Sequence, residues 1–191
     1  TFDADIFVLF DYNKYKDKSE DLSNILEKIL KKKFGKIMRL HGSRDYFQIR
    51  QGIFTFEIVP ILKISKAEQA KNITDASPLH FKWVAKHKKL VDEMKLTKQF
   101  CKAQNVYGAE SYIIGFSGYV CEILTVHYGS FLKLIKHAAK WQSKVIVDVE
   151  NYYRGKDVFK LVNVSKLESP LIVIDPVQKD RNASAALSIE K

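Results

Sequence analysis

The sequence predicts an α+β protein, with a mixed sheet and helices in its first part and a mostly helical second part. Three observations predict it. Apolar runs of strand length, residues 6–10 and 53–62, carry isolated carboxylates, with Asp3 and Asp5 ahead of the first and Glu57 inside the second. Between them Leu22, Ile25, Leu26, Ile29 and Leu30 recur at helical spacing. Beyond Pro78, apolar residues recur mainly at helical intervals, broken by two short strand-like runs.

The first strand ends in a polar turn at residues 11–18. Ser19 can cap the helix that follows, and Gly35 can close it. Short strands are expected at 36–40, 46–50 and 53–62, the last two joined by a hairpin turn at Gln51-Gly52. After a polar segment at 66–78, one long helix is expected from His80 to about Gln104. Its apolar side comprises Trp83, Val84, Leu90, Val91, Met94, Phe100 and Cys101. Further helices are expected at 117–128 and 130–141, with strands at 144–149 and 171–175 on either side of a charged loop. Residues 181–191 read as the start of a last helix. The chain opens directly on a strand and closes inside that helical pattern, so both ends are expected to continue beyond it.

Lys and Arg number 32 against 22 Asp and Glu, a net charge of +10 over 191 residues. Such a surplus favours a polyanionic partner, because cationic side chains release counterions from phosphates. The 46% hydrophobic content supports a packed core and argues against disorder. Cys101 and Cys121 form no C-x-x-C pair, so zinc and redox motifs are unsupported, and reduced core thiols in a cytoplasmic protein are expected. The most apolar stretch, 111–131, contains Glu122 and His127 and reads as buried helix, not a membrane span.

Side chains alternate along a strand, so Asp3 and Asp5 share a face. On a buried strand they would repel each other and lose hydration, which a divalent cation would relieve. Taken separately, the Asp pair reads more readily as a turn or solvated edge, and Glu57 as a solvent-facing residue. Together they suit metal-assisted phosphoryl or nucleotidyl transfer. Ser77 and His80 lie at the mouth of the long helix, where free N–H groups attract anions, although Ser77-Pro78 is equally a plain helix start. Lys98, among apolar neighbours, and Tyr107, just past the helix, suit phosphate oxygens, although by sequence alone a snorkelling surface lysine fits better. Arg181 follows Asp175-Pro176 and suits a base or phosphate, or a solvated helix end. His127 reads as a core histidine.

These residues fall in blocks that resemble the archaeal-type (class I) CCA-adding tRNA nucleotidyltransferase family. Asp3-Ala4-Asp5 with its apolar strand resembles the family's D-x-D strand, and Phe56-Glu57-Ile58-Val59-Pro60 its third-carboxylate strand, where Asp is commoner than Glu. Ser77-Pro78-Leu79-His80 with Trp83 is similar to T-P-F-H-x-x-W, and Lys95-Leu96-Thr97-Lys98 with Phe100 to R-L-L-K-x-F. Tyr107-Gly108-Ala109-Glu110, the run from Gly115 to Glu122, and Asp175-Pro176-Val177 with Arg181-Asn182 continue the ordered match.

The resemblance implies a polymerase-β-like nucleotidyltransferase palm over residues 1–75 and a helical central domain with short strands over 76–191. It implies CCA addition to the tRNA 3′ end from CTP and ATP, with two Mg²⁺ ions on Asp3, Asp5 and Glu57. It places Ser77, His80, Lys98 and Tyr107 near the triphosphate and Arg181 near the base. The family's Gly-Ser element and its tRNA-gripping C-terminal region have no counterpart in these residues. A second chain supplying those ends, or a homodimer, therefore stands beside tRNA and nucleoside triphosphates as an expected partner, with no membrane involved. Two rival readings remain: a poly(A) polymerase-like enzyme, and a non-catalytic RNA-binding subunit.

Overall fold

The structure is a computed structural model that describes residues 2–142, 144–162 and 167–191. Two compact units divide the chain, Thr1–Leu79 and His80–Lys191.

In the first unit the predicted strands form one mixed sheet: β1 (Phe2–Asp11), β2 (Met38–Leu40), β3 (Tyr46–Gln51) and β4 (Phe54–Lys63), in the order β1-β4-β3-β2. The β1–β4 pair is parallel and the other two are antiparallel. Gly52, at φ +60°, makes the turn between β3 and β4. A short helix, α1 (Tyr12–Tyr15), and a 3₁₀ segment lead into α2 (Leu22–Phe34). Leu22, Leu26 and Leu30 of α2 pack on Phe10, Phe47, Ile58 and Leu62 of the sheet. Gly35 ends the helix at φ +66°, its N–H donating to the Lys31 carbonyl. Ser19 does not cap α2. It is buried in the 3₁₀ segment Lys16–Asp21, and the helix starts three residues later.

One ion pair closes this unit. Asp75 is fully buried and Arg44 almost so. The carboxylate of Asp75 accepts from Arg44 Nη1 and from the backbone N–H groups of Leu62, Lys71 and Asn72 at 2.9–3.0 Å. Arg44 Nη1 also donates to the Pro60 carbonyl at 3.1 Å. Four donors for one carboxylate compensate its lost hydration, and they tie the loop at 66–76 onto β4.

The second unit is mostly helical: α3 (Ser77–Lys86, which begins in the first unit), α4 (Val91–Ala103), α5 (Gly118–Tyr128), α6 (Phe131–Ala138) and the short α7 (Val158–Leu161). A parallel pair, β5 (Val145–Val147) and β6 (Leu171–Val173), completes it. Ser117 caps α5 and Ser130 caps α6, each accepting from a backbone N–H three residues on. Trp83, Val120, Ile123, Leu124, Leu134, Val147, Leu171, Val173 and Leu187 form the core. Cys101 and Cys121 are free, buried thiols whose sulfurs lie 3.8 Å apart.

Three expectations need correcting here. The long helix is two, broken at His87–Leu90, where His87 (φ −102°, ψ 27°) leaves helical geometry. Lys86, His87, Lys88 and Lys89 put four basic side chains in succession, and a break spreads them while each helix buries its own apolar face. Residues 181–191 form turns and no helix. The Ala183 N–H donates to the Val173 carbonyl, and Asn182 Oδ1 accepts from Val173 and Ser184, so this backbone is committed to β6. His127 is exposed, its ring edge-on to Tyr128. No helix among the described residues is long and apolar enough to cross a membrane.

Removing the carboxylate in Asp75→Ala should leave Arg44 buried and unpaired and cost about 3–5 kcal/mol. Urea unfolding followed by circular dichroism measures it. An unchanged midpoint would show that the pair does not hold the loop.

Candidate active site

In the first unit the sheet has two unlike faces. Val8, Phe10, Ile58 and Leu62 turn toward α2. Asp3 and Asp5 turn the other way, and the parallel register seats Asp5 directly beside Glu57, with Asp3 beside Thr55. On the far side of β4, Gln48 is paired with Glu57 in register, and its Nε2 donates to Glu57 Oε1 at 3.3 Å. Tyr46 reports the field of this face: burial pushes its phenol up, and the charges of Glu57 and Asp5 push it further.

The expected burial of the Asp pair is not found. Asp3 and Asp5 are exposed, because β1 is an edge strand whose acidic face is open, and Glu57 is half-buried. Among the described residues no group of three or more His, Cys, Asp or Glu side chains converges closely enough to hold an ion. The arrangement is a same-face alignment of carboxylates. Its donor chemistry, oxygen only and anionic, fits a hard divalent cation such as Mg²⁺.

Ser77 is half-buried and does not stand at a free helix start. The chain enters α3 directly from a 3₁₀ turn, Ile73–Ala76, and the Ser77 N–H donates to the Thr74 carbonyl. Asn72 provides the cap, accepting from Thr74. The anion-attracting helix terminus expected at Ser77 is thus already satisfied by the protein's own backbone.

In the second unit the predicted residues gather around the first turn of α5 in two groups. His80 and Arg181, distant in sequence, meet at Asp175. His80 Nε2 lies 3.2 Å from Asp175 Oδ2, and Arg181 Nη1 lies 2.7 Å from the same oxygen. Tyr119 of α5 donates its hydroxyl to Asp175 Oδ1 at 3.2 Å, and its ring stacks on the His80 ring at 4.3 Å. The Val177 N–H donates to Oδ1 as well. Burial pushes the Asp175 carboxyl up, but His80, the Val177 N–H and the Arg181 guanidinium outweigh it and hold it down at about 2. Burial beside that carboxylate pushes the Tyr119 phenol up, so it remains a donor.

The second group contains Lys98 and Tyr107. Lys98 Nζ donates to Glu122 Oε1 at 2.6 Å. Gly118 separates the two: a Cβ there would lie 2.8 Å from the Tyr107 hydroxyl and 3.7 Å from Lys98 Cε. The absent side chain lets the phenol approach the helix start. Burial pushes the Tyr107 phenol up, opposed by the Lys98 charge, and the Lys102 ammonium lies 5.0 Å from its ring centre.

Glu122, Tyr119, Gly118 and Gln48 join these groups, and Asp175 organises one of them, yet the residue-by-residue reading gave none of them a role. For Asp175 the signal is present as a carboxylate bordering an apolar strand-like run, closing 171–174 as Asp3 and Asp5 open 6–10.

An α+β chain with carboxylates aligned on one sheet, and with lysine, tyrosine, histidine and arginine gathered around one helix start, has the makings of a nucleotidyltransferase. The chain belongs to the tRNA nucleotidyltransferase family: residues 92–191, just over half of it, match the family described as tRNA nucleotidyltransferase, second domain. It is 46% identical over 188 residues to the CCA-adding enzyme of Nanoarchaeum equitans, a match covering 97% of this chain and 47% of that relative. The CCA-adding enzyme of Methanocaldococcus jannaschii is 36% identical over 193 residues, covering 98% and 42%. That of Sulfurisphaera tokodaii is 36% identical over 195 residues, covering 98% and 43%. The chain thus spans somewhat less than half the length of these curated relatives.

The Asp175 carboxyl gives the second unit an acid-sensitive stability. Its folded pKa lies below the ordinary 3.8, so its contribution is complete above pH 3.8 and is lost as pH falls through about 2. The amount is on the order of 2 kcal/mol. Unfolding free energies measured from pH 5 to pH 2 should fall over this window, and Asp175→Asn should flatten the fall. An identical slope in the variant would contradict the assignment.

Proposed function

We propose that this protein belongs to an enzyme that adds C, C and A to the 3′ end of tRNA from CTP and ATP, without a nucleic-acid template, releasing pyrophosphate. The observation that carries the reading is the parallel β1–β4 register, with Asp5 beside Glu57 and Asp3 two residues along the same face. The names of the relatives, each a CCA-adding enzyme, support the particular reaction. In this reading residues 1–75 are the nucleotidyltransferase palm and 76–191 the helical central domain.

Asp3, Asp5 and Glu57 would hold two Mg²⁺ ions. When bound, these would lower the pKa of the tRNA 3′-hydroxyl and offset charge on the departing pyrophosphate. The rest of the chain binds and orients. Lys98 and the Tyr107 hydroxyl donate to the triphosphate, with Gly118 leaving room for the phenol. Ser77 and His80 add donors to the phosphates, and Arg181 lies toward the base. The O3′–Pα bond forms as the bond from Pα to pyrophosphate breaks, and the hydroxyl proton passes to water. The half-buried Glu57, held by Gln48, is the most constrained of the three carboxylates. The surplus of +10 supports the tRNA backbone as the polyanionic partner.

The test is incorporation of labelled CTP and ATP into tRNA lacking CCA, with Mg²⁺, using this chain and, in parallel, a chain extended to the length of its relatives. Addition should stop after C, C and A. Asp5→Ala should lower it by about a thousandfold while the circular dichroism spectrum is retained. A long adenosine tail would point to a poly(A) polymerase-like enzyme, and activity of Asp5→Ala close to that of the parent would refute the carboxylate assignment.

A further inference from the structure

Asp175 is fully buried, yet it sits among side chains that reach toward solvent: the side chains of His80 and Arg181 are 14% and 28% exposed. A carboxylate in this position has a cost that only its donors offset, and it has several. Two of them, the N–H groups of Val177 and Gln178 at 2.8 and 3.3 Å, come from its own turn and would serve the fold alone. Two more are side chains from separate elements, Tyr119 on α5 and Arg181 beyond the turn, and the His80 ring on α3 stands beside them with its buried Nε2 3.2 Å from Oδ2, in ion-pair contact and without a hydrogen bond. His80 and Arg181 share one oxygen, Oδ2, while Tyr119 takes Oδ1.

The turn itself is braced from outside. The Tyr152 hydroxyl donates to the Pro176 carbonyl at 2.7 Å, and the Tyr153 hydroxyl to the Lys179 carbonyl at 3.0 Å. Asp175 is therefore a fixed point, and His80 and Arg181 are referred to it. Each is also restrained a second way. His80 is stacked on Tyr119, whose own ring stands edge-on to the buried Trp83 at 6.4 Å. The Arg181 backbone carbonyl accepts from the Asp175 N–H at 3.0 Å, closing the turn on itself. A guanidinium has five donors, and the bond to Asp175 uses one, so holding it does not exhaust it.

We infer that Asp175, with Tyr119 as its brace, is a positioning residue for nucleotide binding: it fixes the His80 imidazole and the Arg181 guanidinium in one arrangement before nucleotide arrives. The inference rests on the proposed function, in which both side chains contact the incoming nucleotide. Its physical content is preorganisation. A flexible arginine and a free histidine would each lose rotamer freedom on binding, whereas here that ordering is completed during folding. Lys98 and Tyr107 belong to the other group and do not depend on this carboxylate.

The test measures binding of ATP with Mg²⁺ by calorimetry, on the 191-residue protein and its variants. His80→Ala and Arg181→Ala should each weaken binding. Asp175→Asn should weaken it about tenfold, since the amide keeps the shape but loses the charge that holds both partners. In the His80→Ala/Arg181→Ala background, Asp175→Asn should add nothing, and the residual affinity carried by Lys98 and Tyr107 should persist. A merely structural role would abolish that residual affinity too. Should Asp175→Asn fail to fold, Tyr119→Phe decides, because it removes one hydroxyl and keeps the stacking ring. It should weaken ATP binding about threefold at unchanged Lys98→Ala sensitivity. An unchanged affinity in the variant that folds, or an additive loss in the double background, would overturn the inference alone. No ATP binding by the parent, or no effect of His80→Ala and Arg181→Ala, would overturn the proposed nucleotide contacts and the inference with them.

Discussion

Each unit is organised around one aspartate that has been taken out of water. A buried carboxylate without donors is among the most costly features a fold can contain, so the chain around it must converge. In the first unit, Asp75 draws in Arg44 and three backbone N–H groups, and so fixes how the polypeptide leaves β4. In the second, Asp175 draws in His80, Tyr119, Arg181 and the N–H groups of its own turn. The two sites differ in what faces outward. Arg44 is buried with its carboxylate and serves packing alone, whereas His80 and Arg181 remain partly open.

The first turn of α5 does for the second unit what the β1–β4 register does for the first. Its residues diverge within one turn. Tyr119 points to the Asp175 group, while Gly118 and Glu122, four apart and therefore on one helix face, border Lys98 and Tyr107. Ser117 caps this turn and sets its start. The identity of three consecutive residues, a cap, a glycine and a tyrosine, thus determines how close the two groups of side chains lie. No larger residue at Gly118 preserves this without moving the Tyr107 hydroxyl.

How much was legible in the sequence depended on whether a feature is local. Strands β1, β3 and β4, helix α2 with its Gly35 stop, and helices α5 and α6 follow from periodicity and end signals within a few residues. The alternation that put Asp3 and Asp5 on one face is likewise local. Exposure is not. Whether a strand is central or at an edge depends on pairing with distant segments, so the Asp pair was read as buried when β1 is the edge. The helix expected over 181–191 failed for the same reason: Asn182 and Ala183 pair with Val173, a partner outside the window in which helical periodicity is judged. The break at His87–Leu90 was in principle visible as an unbroken basic run, but apolar spacing on both sides masked it.

The charge distribution sharpens the role of the acidic sheet face. A protein carrying +10 attracts polyanions at long range, and three exposed lysines, Lys31, Lys32 and Lys33, end α2, which packs on the opposite face of the same sheet. A face bearing Asp3, Asp5 and Glu57 works against that attraction locally, since carboxylates repel phosphates. Their repulsion of one another is tolerable while Asp3 and Asp5 stay hydrated at an edge, but it would grow as a nucleic acid or triphosphate displaced that water. An acidic face on a basic protein is therefore stable in the open state and becomes electrostatically incomplete when an anion closes over it. On the proposed function, divalent cations brought with the anion would complete it, so that binding of substrate and of metal would reinforce each other.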